Sequence, residues 1–254
     1  MAQLSIKNLK KHFGALQIIQ GFDLEVDAGA RHAIVGPNGA GKTTLFNMIS
    51  GWLKPTSGSI SLDRRDLAGL TPEQVNRAGL ARSFQKNALF EGLTVFENLR
   101  LAVQAGTPNR FNLIRSASSF SAMRTKAEEV AVRMRLEDAL HREVKTLSYG
   151  QKRQLEVGIA LACSPKALLL DEPAAGTSPA ERLLLIDTLR ALPKDITLVL
   201  VEHDMDVVFG VCEQVTVLNY GVAVATGSPD QIRQNPEVRA AYLGESASYH
   251  GANL

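Results

Sequence analysis

The sequence predicts an α/β fold, a parallel sheet covered on both faces with a helical subdomain inserted into it. Three observations predict this. The short apolar runs Ala167–Leu170 and Ile196–Val201 have the length and composition of strands buried on both sides. Helix starts with one shared pattern surround them: Thr71-Pro72-Glu73-Gln74, Ser178-Pro179-Ala180-Glu181 and Ser228-Pro229-Asp230-Gln231. Each offers a hydroxyl N-cap that accepts from an otherwise unpaired N–H, Pro at the first helical position, and Glu or Gln at the third. The stretch from roughly 86 to 160 differs in character and reads as mostly helical.

The elements follow in order. Phe22, Leu24 and Val26 alternate with Asp23, Glu25 and Asp27, which predicts a strand with one wet face. Ala33, Ile34 and Val35 form a short apolar run that ends in a glycine-rich loop, after which Leu45, Met48 and Ile49 recur at helical spacing. Ser57-Gly58 with Ile60 and Leu62 reads as a strand, and so does Leu80–Phe84. Gln104 to Ser121 is a polar interruption with Gly106, Pro108 and several serines, expected as a mobile loop within the helical subdomain. Val215–Leu218 and Val222–Val224, joined by Asn219-Tyr220-Gly221, predict a late hairpin. The residues from about Glu245 are small and polar and read as a flexible tail.

Composition narrows the class. A chain of 254 residues suits one large α/β domain with a subdomain. With 28 basic and 26 acidic residues the formal charge is +2, which lacks the electrostatic footprint of a dedicated nucleic-acid binder. At 45% hydrophobic and 21% charged residues the chain is globular rather than disordered. No apolar run reaches the roughly 18 residues of a membrane span, and the opening residues do not read as a secretory signal. Cys163 and Cys212 form no metal-type cluster and fit a reducing, cytosolic setting.

The strongest chemical signal is Gly36-Pro37-Asn38-Gly39-Ala40-Gly41-Lys42-Thr43. It matches the phosphate-loop pattern in full, between a predicted strand and a predicted helix. Glycines let the backbone turn so that successive N–H groups face one concavity, and the helix N-terminus adds positive potential. Lys42 would reach the outer phosphates and the Thr43 hydroxyl would bind Mg²⁺. The second signal is Leu168-Leu169-Leu170-Asp171-Glu172-Pro173. Asp171 is placed to hold Mg²⁺, and Glu172 to polarise a water for attack on the γ-phosphate. Beside a phosphate loop this outweighs the plain alternative of a solvated acidic turn. The third is Leu147-Ser148-Tyr149-Gly150-Gln151. Two uses are open to Ser148, capping the helix that follows or joining that helix N-terminus in binding a γ-phosphate. Gln85 and His203 stand at predicted strand ends, where an open α/β sheet binds its ligands.

Taken together these residues resemble the ATP-binding subunit of an ABC transporter, over nearly the whole chain. Residues 36–43 match Walker A, 167–172 match Walker B and 147–151 match the signature sequence. Gln85 matches the Q-loop glutamine, His203 the H-loop histidine and Phe13 the aromatic that stacks on adenine. The resemblance implies a P-loop NTPase core, with a RecA-like parallel sheet, an antiparallel β subdomain and an inserted α-helical subdomain. Residues 1–85 and 161–240 would form the catalytic core, 86–160 the helical subdomain carrying the signature, and 245–254 the tail. It implies an ATPase using ATP and Mg²⁺. Phe13, Gly36, Pro37, Asn38, Gly39, Ala40, Gly41, Lys42, Thr43, Thr44, Gln85 and Asp171 would contact the nucleotide or its metal, with Thr43, Gln85 and Asp171 as metal ligands. Glu172, His203 and Lys42 would be catalytic, and Ser148, Gly150 and Gln151 would act on ATP held by a second subunit in a head-to-tail dimer.

Three positions depart from the family pattern: Tyr149 replaces a signature glycine, Phe13 replaces the commoner tyrosine, and the D-loop Ala174-Ala175-Gly176-Thr177-Ser178 lacks the commoner aspartate. The segments Ala81-Arg82-Ser83-Phe84-Gln85, Leu89-Phe90, Leu93-Thr94-Val95 and Glu97-Asn98-Leu99 are similar to the branched-chain amino acid importer group. So are the tyrosine-bearing signature and the ending Asn235-Pro236-Glu237-Val238 with Ala241-Tyr242-Leu243-Gly244-Glu245. The lipopolysaccharide-export ATPase shares much of this pattern, and a non-transport ABC ATPase is a further alternative. An importer would imply integral membrane permease subunits, an indirect periplasmic or extracellular solute-binding protein, no nucleic-acid partner, and a peripheral place on the cytoplasmic face of the inner (plasma) membrane. A short helix of the membrane subunit would dock at roughly Asn87 to Leu99.

Overall fold

The structure is a computed structural model that describes residues 3–83, 89–107 and 117–243. The side chains of 117–120 and 240–243 lie outside that description. In chain order, β1 (Leu4–Phe13) and β2 (Leu16–Val26) pair as a hairpin, and β3 (Arg31–Val35) leads through the glycine-rich loop into α1 (Lys42–Ile49). Then come β4 (Ser57–Leu62), β5 (Arg65–Asp66), α2 (Pro72–Arg77) and β6 (Leu80–Arg82). Three longer helices follow, α3 (Val95–Gly106), α4 (Ala117–Arg133) and α5 (Tyr149–Ala162). The chain returns through β7 (Ala167–Asp171), α6 (Pro179–Arg190), β8 (Thr197–Val201) and α7 (Met205–Val211). It closes with β9 (Gln214–Asn219), β10 (Val222–Gly227), α8 (Pro229–Gln234) and α9 (Pro236–Leu243).

Two sheets result. One is antiparallel in the order β2-β1-β4-β5. The other has the order β10-β9-β3-β8-β7-β6, with parallel pairing from β9 to β6 and β10 antiparallel at the edge. Strands β3, β7 and β8 are buried at every position and mostly apolar because both faces are covered, with polar residues confined to their ends. Leu168, Leu170, Leu198 and Leu200 face a core shared with α3, α5, α6 and α7. Ala167, Leu169, Val199 and Val201 face the other core, with Leu45, Phe46, Met48 and Ile49 of α1 and Leu4, Ile6, Phe22 and Ile60 of the antiparallel sheet. Helices α3 to α5 join the first core through Leu99, Val103, Ala127, Val130, Met134 and Leu155.

The local signals act where local chemistry decides. All three hydroxyl-Pro starts are reciprocal capping boxes, pairing Thr71 with Gln74, Ser178 with Glu181 and Ser228 with Gln231. The late hairpin turns on Tyr220 (φ 46°) and Gly221 (φ 78°), the two left-handed residues of a tight hairpin turn. Two expectations need correction. The polar interruption ends before Ser121, because helix α4 starts at Ala117 and takes Ser118, Ser119 and Ser121 into its first turns. The buried row Met123, Ala127, Val130 and Met134 secures that helix, and tertiary packing overrides a weak serine propensity. The strand expected over 80–84 is assigned over Leu80–Arg82, although the Ser83 N–H still donates to the Leu169 carbonyl at 2.9 Å. Residues 84–88 and 108–116 lie outside the described residues, as do Gln85, the expected loop centre and the tail beyond Leu243.

Candidate active site

The parallel register assembles the site. Ile34 of β3 lies opposite Val201 of β8, and Val201 lies opposite Asp171 of β7. The segments leaving these three strands therefore emerge side by side: loop 36–41, Asp171-Glu172 and Glu202-His203. This is the C-terminal edge of the sheet, where open α/β folds bind ligands.

The loop after β3 is wedged between the sheets. A Cβ at Gly36 would sit 2.0 Å from the Leu218 carbonyl of β9, so only glycine lets the backbone pass. Gly41 precedes α1 with φ 106° and offers no side-chain cap, while the Gly221 N–H of the late hairpin donates to the Ala40 carbonyl at 3.0 Å. The first-turn N–H groups of α1 thus keep their positive end for an anion. Lys42 Nζ donates to the carbonyls of Gly36 (2.6 Å) and Pro37 (2.9 Å), which holds its charge over the loop. Asn38, Gly39 and Thr43 are exposed, and Thr44 half-buried. Phe13, at the tip of the β1–β2 hairpin, is 52% exposed, and Lys11 Nζ lies 4.8 Å from its ring centroid.

Asp171 ends β7 with its side chain 1% exposed. Its Oδ2 accepts from Arg82 Nη2 at 2.6 Å. Arg82 Nη1 also donates to Asn47 Oδ1 (2.7 Å) of α1 and to Ser50 Oγ (3.0 Å) at its C-cap. One guanidinium thereby ties β6, β7 and the phosphate-loop helix together. Glu172 follows in the left-handed region (φ 47°), a strained place for a non-glycine residue, and its N–H donates to the Val201 carbonyl at 2.8 Å. Its carboxylate stays one-third exposed, with His203 Nδ1 3.9 Å from Oε1.

Three site residues escaped sequence reasoning in their structural roles. The first is Arg82. The second is Glu202, fully buried, whose carboxylate accepts from the N–H groups of Ala174 (2.8 Å), His203 (3.1 Å) and Asp204 (3.4 Å). Burial raises its pKa, and those bonds oppose the rise. It fixes the segments after β7 and β8 to one another. A lone acid closing an apolar run, next to His203, was the available signal. The third is Glu181, described with the signature below.

The oxygen donors Thr43 and Asp171 fit Mg²⁺, a hard cation that takes one or two protein oxygens and completes its shell with phosphate and water. Thr43 lies in the first turn of α1 and Asp171 is a buried carboxylate at the adjoining strand edge, so the donor set is of the right chemistry.

The signature residues sit elsewhere. Ser148 caps α5, accepting from the Gln151 N–H at 3.2 Å, while Gln151 Oε1 accepts from the Ser148 N–H. This cap realises the first of the two uses open to Ser148. Ser148 Oγ (3.3 Å) and the Gly150 N–H (3.0 Å) also donate to Glu181 Oε1 of α6. Tyr149 Oη donates to the Ala175 carbonyl at 2.9 Å, and its ring lies against Gly176 and under Arg153. The structure thus brings Lys42, Asp171, Glu172 and His203 to one edge. It fastens Ser148, Tyr149 and Gly150 to the segment after Glu172, without a described hydrogen bond to loop 36–41.

Known proteins are similar to this chain in sequence and in fold. A family profile described as ABC transporter matches residues 19–175. A second, described as branched-chain amino acid ATP-binding cassette transporter, matches residues 224–248. The chain is 38% identical over 250 residues to the high-affinity branched-chain amino acid transport ATP-binding protein LivG of Escherichia coli strain K12, covering 96% of this chain and 98% of that protein. It is 31% identical over 249 residues to the lipopolysaccharide export system ATP-binding protein LptB of the same organism, covering 96% and 98%. The crystal structure of the ADP conformation of MJ1267, an ATP-binding cassette of an ABC transporter, superposes with a TM-score of 0.83 at 29% identity, covering 96% of this chain and 100% of that one. The chain belongs to the ABC transporter family, as an ATP-binding-cassette ATPase.

Proposed function

We propose that this ATPase powers import of branched-chain or related amino acids, through ATP-driven closure of a head-to-tail dimer on separate membrane subunits. The observation that carries the catalytic part is the alignment of Lys42, Asp171, Glu172 and His203 along adjoining strand ends. The likeness to LivG and the branched-chain profile over 224–248 support the choice of cargo.

In this reading the N–H groups of loop 36–41 and the start of α1 cradle the phosphates, with Lys42 on the outer ones. Phe13 offers its exposed ring to adenine. Thr43 and Asp171 would hold Mg²⁺, together with Gln85, and the bound ion would supply neutralisation of β- and γ-phosphate charge. Arg82 keeps the Asp171 carboxylate turned to that edge. Glu172, held in strained backbone and still open to solvent, orients the attacking water and takes its proton. His203 stands at 3.9 Å from Glu172, placed to meet the γ-phosphate from the side of β8. Ser148, Gly150 and Gln151 act on the ATP of the second subunit.

Among the described residues no helix is long and apolar enough to cross a membrane. The transport path then belongs to permease subunits, engaged through the region around Asn87–Leu99. An outer solute-binding protein delivers cargo to them, and the ATPase sits on the cytoplasmic face of the membrane. Reconstitution with candidate membrane permease subunits and a panel of amino acids, amides and lipopolysaccharide tests this. ATP-dependent uptake of branched-chain amino acids is the expected result. Export of lipopolysaccharide, or recovery of the chain with ribosomes or DNA and no permease, overturns it.

A further inference from the structure

Glu181 raises a question that its helix does not answer. As the third residue of α6 it completes the capping box with Ser178: Oε2 accepts from the Ser178 N–H and Oγ, both at 2.9 Å. Capping alone does not require a carboxylate. The boxes that start α2, α5 and α8 use the amides of Gln74, Gln151 and Gln231 at the same position, and only that of α3 also uses a carboxylate, Glu97, among the described helices. What the carboxylate adds is its second oxygen. Oε1 reaches across to the signature, accepting from the Gly150 N–H at 3.0 Å and Ser148 Oγ at 3.3 Å. It lies so close over Gly150 that a Cβ there would meet it at 2.4 Å.

We propose that Glu181 is a positioning residue that acts through Ser148 and Gly150: its carboxylate occupies the phosphate donors of the signature in the separate subunit and must be displaced by the γ-phosphate when the dimer closes. This rests on the proposed reading of the signature as the site for ATP held by the partner. An anion on a serine hydroxyl and a helix N-terminal N–H uses the same donors that a phosphate oxygen would use. The bonds from Ser178, Gly150 and Ser148 hold the Glu181 carboxyl below the usual carboxylate range, so it is anionic at neutral pH. After displacement the charge stays tethered on α6 near the incoming phosphate, where like charges repel. Glu181 therefore sets the ATP concentration at which two subunits assemble. Gln at this position keeps the helix cap, as the boxes of α2, α5 and α8 show, and removes the charge.

The test measures dimer formation of the full chain against ATP concentration by analytical ultracentrifugation, in a Glu172→Gln background that blocks turnover. It compares the parent with added Glu181→Gln and with added Ser148→Ala. Expected are a half-assembly concentration lowered about threefold by Glu181→Gln, in keeping with the weak coupling of exposed charges, and raised by Ser148→Ala. The difference between parent and Glu181→Gln should shrink as salt is added. In the otherwise wild-type chain, Glu181→Gln should lower the KM for ATP, with the change falling on KM rather than on kcat. An unchanged or higher half-assembly concentration for Glu181→Gln, beside a weakened Ser148→Ala, overturns the role of Glu181 alone. Indifference of assembly to Ser148→Ala, or no ATP-driven dimer in the parent, overturns the reading of the signature beneath it.

Discussion

Replacing Arg82 by Met removes the cation from a buried ion pair and leaves most of the stem in place. The Arg82 and Asp171 side chains are 11% and 1% exposed, and their contact is 2.6 Å. The Arg82 group also lies 5.7 Å from the Phe46 ring centroid, a position the Met side chain can still fill. The substitution strands the Asp171 carboxylate without its cation and deprives Asn47 and Ser50 of a donor. Breaking one side of a buried pair costs about 3–5 kcal/mol. At this chain length a loss of that size lowers the Tm by roughly 10 °C. Calorimetry of the purified chain reads it directly. Pairing Arg82→Met with Asp171→Asn sharpens the comparison, because the double variant buries no unpaired charge and should lose at least about 1 kcal/mol less than the two single losses combined. A Tm change below about 2 °C, or strict additivity, would refute the assignment of the pair as a strut between β7 and α1.

Further outcomes follow from the same structure. Lys42→Ala removes the charge facing the loop and should weaken ATP binding by about ten- to hundredfold, as expected for lost charge-assisted bonds. Unchanged affinity by titration calorimetry would count against it. Gly36→Ala would place a methyl 2.0 Å from the Leu218 carbonyl, a backbone clash expected to cost at least about 3 kcal/mol; wild-type yield and thermal stability would contradict the close packing of loop and sheet. Buried His32, bonded through Nε2 to Thr216 Oγ1 at 2.8 Å, has its pKa lowered by burial from 6.5 to about 4. The unfolded chain then binds the extra proton between those values, so the contribution is full above pH 6.5 and is lost as pH falls toward 4. Its size is about 3 kcal/mol. Denaturation against pH should show this slope in the wild type and flatten it in His32→Gln, and equal slopes would disprove it.

Local chemistry made much of the fold legible in the sequence. The hydroxyl-Pro starts predicted capping boxes because a cap is decided within four residues, and the apolar runs predicted central strands because two covered faces leave few polar positions. Strand β1 was harder to read, since its pairing with β2 shifts register between Ile6 and Leu9, and Asn8 takes φ 45° there. A bulge breaks the period of two on which the reading depends. The start of α4 was hidden by serines whose weak helical preference yields to packing beyond Met123. Lys42 was legible from its phosphate loop, and Asp171, Glu172 and His203 as residues at or just after strand ends in the family's order. Arg82, Glu202 and Glu181 were not, because each acts on residues brought to it by strand order or helix packing. Asp171 is 89 positions from Arg82, and Gly150 is 31 from Glu181. No pattern in the sequence states those pairings. The tyrosine at the signature gains its meaning in the same way, since Ala175 becomes its neighbour only after β7 and α5 are packed.

The most direct test of Glu172 as the group that activates water is to measure MgATP binding and steady-state hydrolysis side by side for the wild type and Glu172→Gln. The amide keeps the shape of the side chain and cannot take a proton, so affinity should hold while turnover falls by at least about a hundredfold. Hydrolysis by Glu172→Gln at the wild-type rate would contradict the assignment.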